Sequence, residues 1–176
     1  MKKFLLPFLL GALIFTPHAG AQRASSSGGQ VAAPIDIARY IGLRHNSTVP
    51  ANLKDVGGAL VSEVGDAREY GLSEIHKGRV RMIWFERLTH RDETGRPNWE
   101  VKDVLVLPAL RKNQVLVYAM CYSGKQPDKE IVAIADYQDA EFLTRLHRAW
   151  RANRKTEKFE PISPKGIKCT NEGYGV

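Results

Sequence analysis

The chain has 176 residues, 26 Lys and Arg against 19 Asp and Glu, and a formal charge of +7. Its length suits one hydrophobic core rather than several. The charge excess favours anionic partners without demanding nucleic acid, which is not expected here, and no segment is apolar for long enough to span a bilayer stably.

Lys2 and Lys3 form a positive start, residues 4–15 form an apolar run broken only by Pro7 and Gly11, and Ala19-Gly20-Ala21 supplies small residues for a peptidase. This order predicts a secretory signal peptide over residues 1–21, cleaved before Gln22. The apolar run is shorter than the roughly 20 residues that a membrane helix needs. No cysteine follows it to carry a lipid anchor. Removing the leader leaves 155 residues and, with Lys2 and Lys3 gone, a charge of +5. The remainder is expected to be soluble and periplasmic or secreted. In such a compartment the two cysteines, Cys121 and Cys169, pair into one disulfide.

Residues 22–33, rich in Ser and Gly, predict a flexible lead-in. A single α+β domain is expected over residues 34–176. It opens with a short amphipathic helix that places Ile37, Tyr40 and Ile41 on one side and stops at Gly42. Residues 45–66 are punctuated by glycine, with Ala59-Leu60-Val61 as the only strand-like core.

From Leu72 onward the period becomes two. Residues 79–88 and 99–107 predict two strands of a hairpin whose long tip is the turn cluster 91–98. Strands at 114–122 and 130–137 follow, making an antiparallel β-meander of about five to six strands. Both are apolar on each face, as expected of central strands. Then Phe142, Leu143, Leu146, Ala149 and Trp150 recur at helical spacing after Asp139, predicting one long amphipathic helix packed on the sheet. Short extended pieces at 159–163 and 166–170 end the chain, the second tied to the sheet by the disulfide. Trp84, Trp99 and Trp150 are expected to be core residues.

Candidate sites follow from this layout. On the long helix Arg145, Arg148, Arg151 and Lys155 present one basic stripe, able to fork onto phosphate or carboxylate. Asp103 shares a strand face with Trp99, Val101, Leu105 and Leu107, so it reads as a pocket-lining acid or as half of a salt bridge. His90, Asp92 and Glu93 meet in the hairpin tip, a weak metal signal. His45, His76 and His147 match no ligand spacing. Asn46-Ser47-Thr48 fits a glycosylation sequon.

Ser123 and Lys125 flank a glycine in a tight turn beside Cys121, well placed to display a recognition segment at low ordering cost. Over these few residues the turn resembles the Ser-Gly loops of periplasmic lysozyme inhibitors, which implies an inhibitory role. The likeness extends to no longer motif.

No cofactor-binding, nucleophile-elbow, phosphate-cradling or paired-cysteine zinc motif is present. The leading expectation is an exported non-enzymatic binding module, an inhibitor or accessory protein, recognising a protein or an anionic envelope component. The second is a small hydrolase or metal-assisted enzyme, which requires Asp103 to converge with His90, Asp92 and Glu93. The third is a structural subunit of an envelope assembly, which requires an exposed apolar patch or an unpaired edge strand.

Overall fold

The computed structural model describes residues 35–46, 48–63 and 65–175. The leader, the lead-in and the central Ser47 of the sequon lie outside the described residues.

The described chain is all-β, with three antiparallel sheets and a single 3-10 turn at Ala38–Tyr40. Sheet A has the order β1-β5-β4-β3-β2, from β1 (Arg44–His45), β2 (Lys54–Leu60), β3 (Tyr70–Lys77), β4 (Val80–Arg91) and β5 (Pro97–Val106). Sheet B has the order β12-β11-β9-β6, from β6 (Gln114–Tyr118), β9 (Ile131–Asp136), β11 (Leu146–Asn153) and β12 (Lys158–Ile162). Sheet C joins β10 (Phe142–Leu143), β13 (Ile167–Thr170), β7 (Cys121–Ser123) and β8 (Gln126–Asp128).

Alternation along each strand stacks these sheets. Leu72, Ile83 and Phe85 of sheet A meet Val132 and Ala152 of sheet B in one core. Each large side chain buried there contributes about 1.5–3 kcal/mol relative to exposure. The other face of sheet B, with Ile131, Ala133 and Ala149, packs on Cys121, Ile167 and Cys169 of sheet C. The other face of sheet A is covered by the N-terminal strap, whose Tyr40 and Leu53 lie on Ile75, Met82, Trp84, Val101 and Val104. Reciprocal bonds pin the strap, with Gly42 N donating to Val101 O and Val101 N to Leu43 O.

This architecture overturns the α+β expectation and its long helix. The apolar residues assigned to that helix belong to β10 and β11. Strand β11 lies between two packed sheets, so it is apolar on both faces: Ala149 enters the core with sheet C, whereas Trp150 and Ala152 enter the core with sheet A. A register shift between Leu146 and Arg148 then moves Leu146 out of strict alternation. Two buried faces plus one bulge reproduce the spacing of a helix.

The expected N-terminal helix shrinks to the 3-10 turn, because Ile41 is extended and the chain leaves to pair with β5. The single meander is also corrected to three sheets. The run 114–122 breaks at Ala119, where φ is 59°, so β6 joins sheet B and β7 joins sheet C. Strand β6 is therefore an edge and not a central strand. The hairpin is present as β4 and β5, although its tip is shorter than the expected 91–98 because Arg91 pairs with Pro97, and β9 is central.

Candidate functional site

The A/B sandwich has two lateral seams, and they differ. At one, edge strand β12 is fastened to β5: Phe159 N donates to Asp103 Oδ2 at 2.7 Å. Beside it, the β11–β12 turn swings Glu157 into a cluster of donors, Tyr70 OH at 3.0 Å, Arg87 at 2.8 Å and Lys102 at 3.0 Å. Burial alone would raise the Glu157 carboxyl, but the bonds from Lys102 and Tyr70 and the charge of Arg87 outweigh it and hold its pKa below the ordinary value. Tyr70 is pushed up by burial and by the same carboxylate.

At the other seam β6 and β2 are edge strands, each with no strand on its outer side among the described residues. Ala119 N donates to Ile131 O and Tyr137 N to Asn113 O, so the odd-numbered residues of β6 bond to β9. Leu116 and Tyr118 consequently turn their N–H and C=O groups away from the sheet. On β2, the bond from Val61 N to Tyr70 O sets the phase in which Gly58 and Leu60 point outward. Gly58 must be glycine, since a Cβ there would lie 2.5 Å from Leu72 O.

Between these edges lies a groove of about 380 Å³, lined by residues 115–118, Gly58, Ala59, Met120 and Leu143. The C-terminal tail supplies its far wall through Thr170, Asn171, Glu172 and Gly173. Asn171 fixes that tail, its side-chain amide donating to Gln138 O and Ala140 O, and the Cys121–Cys169 disulfide anchors it one residue before Thr170. The bridge points to an oxidising, extracytoplasmic environment.

Burial raises the Tyr118 phenol, and the carboxylates of Glu74, Glu172 and Asp55 raise it further while Arg81 lowers it. Glu74 is buried and already takes bonds from His76 and Arg81, whereas Glu172 is exposed.

The residues picked from sequence are scattered. Arg148 and Arg151 lie three apart on one strand and so point to opposite faces, which dissolves the stripe that helical geometry had implied. Arg151 turns towards sheet C and pairs with Asp128 at 2.6 Å and Glu130 at 3.2 Å, a setting that raises its pKa further. Arg148 lines a separate cleft with Arg111 and His147. Arg145 precedes β11 and is exposed, as is Lys155 in the β11–β12 turn.

Ser123 and Lys125 are exposed at the β7–β8 turn, next to buried Cys121. Asp103 shares a face with Leu105 but not with Trp99 and Val101, because the ladder shifts register opposite it, between Phe85 and Glu86. Its carboxylate serves the closed seam. His90 pairs with Asn98 whereas Asp103 pairs with Phe85, five residues away or roughly 16 Å along the strand, so the acid and the hairpin tip do not converge. In that tip Asp92 accepts bonds from Thr94 and Arg96 and shapes the turn. Trp84 is fully buried, while Trp99 and Trp150 are half-buried.

Sequence reasoning missed the carboxylate partners of the histidines. His45 meets Glu86 at 2.6 Å, His76 meets Glu74 at 2.7 Å and His147 meets Asp136 at 2.7 Å. Glu86 carried a visible signal, an acid in phase with Met82 and Trp84 directly after the apolar run 82–85. No family model, curated protein or solved structure matches the chain.

Proposed function

We propose that the chain is an exported binding module, periplasmic or secreted, that captures an extended, basic segment of a partner protein along the open edge of β6. The observation that carries this reading is the groove at the open seam, where the outward backbone groups of Leu116 and Tyr118 line a cleft of about 380 Å³. An unpaired edge offers backbone hydrogen bonds to any extended chain, and pockets along it select side chains. The carboxylates of Glu74, Glu172 and Asp55 around Tyr118 favour a segment with lysine or arginine, against the positive charge of the whole chain.

The test is selection from a displayed library of random decapeptides against the oxidised protein, followed by amide hydrogen exchange of the complex. Enriched peptides should alternate apolar with basic residues and slow exchange at Leu116 and Tyr118. Met120 is 36% exposed at the groove, so Met120→Trp fills the cleft without disturbing the core and should weaken binding at least tenfold. Failure to enrich any peptide, protection elsewhere, or closure of the β6 edge by a second copy of the chain refutes the assignment.

A further inference from the structure

The outer face of sheet A is covered unevenly. The strap lies over Met82, Trp84 and Val104, and its pairing strand β1 ends at His45. Nearby a smaller cavity of about 230 Å³ opens, walled by Leu60 and Trp99 and floored by Gly71, Ser73 and Glu86. It shares Gly58 and Ala59 with the groove but lies on the opposite face of sheet A.

Glu86 is 2% exposed and its carboxylate is fixed from two sides. His45 Nε2 lies 2.6 Å from Oε1, and Ser73 Oγ donates to Oε2 at 2.6 Å. Two bonds leave about half of the acceptor positions of an ionised carboxylate open. Gly71 leaves the floor bare of a side chain, and a Cβ there would sit in ordinary contact, 3.6 Å from Ala59 O and from the Trp99 ring.

We propose that this cavity binds one organic cation, an alkylammonium or guanidinium head seated between the Glu86 carboxylate and the Trp99 ring. Its size is below the roughly 300–1,000 Å³ of pockets for drug-sized ligands and suits a single head group with its stem. An orientated carboxylate forms short, charge-assisted bonds to such a head, and an indole face attracts it. A neutral apolar guest would strip water from the open lone pairs of Glu86 without replacing it, and an anion would be repelled. The cation is either a partner's side chain or a free amine, and the site does not depend on the groove.

Two probes separate these sources: N-acetyl-lysine methylamide, with its norleucine isostere as control, and free butylamine. Binding is read from the Trp99 indole resonance in the oxidised protein. The lysine probe should bind at least tenfold more tightly than norleucine, and Glu86→Gln should abolish that preference. Binding of butylamine but not of the lysine derivative also supports the site and assigns it to free amines. Gly71→Ala meets only ordinary contacts, so it should fold and weaken either cation at least threefold; it decides the matter if Glu86→Gln does not fold. Equal affinity for lysine and norleucine with no response to butylamine, or undiminished binding in Gly71→Ala, overturns the proposal. Loss of peptide capture at β6 leaves this result unaffected, so the two readings fail separately.

Discussion

The A/B sandwich has two seams, and the one between β12 and β5 is shut while the one between β6 and β2 is open. The closed seam is fastened by charged groups that find backbone and side-chain partners across it, Asp103 with Phe159 N and Glu157 with Tyr70, Arg87 and Lys102. The open seam holds carboxylates as well, but Glu172 and the outward amides of β6 are left facing the cleft. Closure therefore follows from where opposite charges and donors are placed, and the surface available for recognition is the one that the fold does not satisfy internally.

The largest test of this contrast is covalent. Replacing both cysteines, Cys121→Ser with Cys169→Ser, frees a link between residues 48 apart in sequence. Chain entropy assigns such a link about 4 kcal/mol, read as a drop in unfolding free energy in urea. The same variant should lose peptide capture before it loses the A/B core, because the disulfide anchors the tail that walls the open seam.

A smaller effect is expected at the closed seam. Asp103→Ala leaves the Phe159 amide without its acceptor and should cost about 2 kcal/mol, whereas Asp103→Asn, which keeps an acceptor oxygen, should cost less than about 1 kcal/mol. Equal losses in the two variants would show that the bond does not fasten the seam.

The smallest is a pH effect at Glu157. Its carboxyl is lowered in the folded state, so its contribution is fully present above the ordinary glutamate value of 4.5 and is lost as pH falls through the lower folded value. Glu157→Gln should reduce stability at neutral pH by about 1 kcal/mol, a value discounted for partial exposure. It should also flatten the dependence on pH below 4.5 in urea titrations. An unchanged acid slope would remove Glu157 from the seam.

The β-hairpin of β4 and β5 and the central β9 were legible in the sequence because turn residues bound them and their own alternation or apolar runs mark them. The β11 segment was not legible, since a strand packed on both faces has no alternation to display, and its bulge at Leu146 and Arg148 supplied a false helical period. Once that helix was assumed, Arg145, Arg148, Arg151 and Lys155 merged into one patch that the strand separates. The groove was invisible for a different reason. It depends on β6 lying at an edge, which follows from the break at Ala119 and from pairing between distant segments, neither of which local pattern encodes. The cysteine pair, by contrast, needed only compartment chemistry and a count of two.

The segment beyond Cys169 ties the cleft to the redox state of the chain. Residues 170–173 wall the cleft, and their anchor forms only when the two thiols have been oxidised. A still-reduced chain thus lacks that anchor, and the cleft takes its finished form only in an oxidising environment.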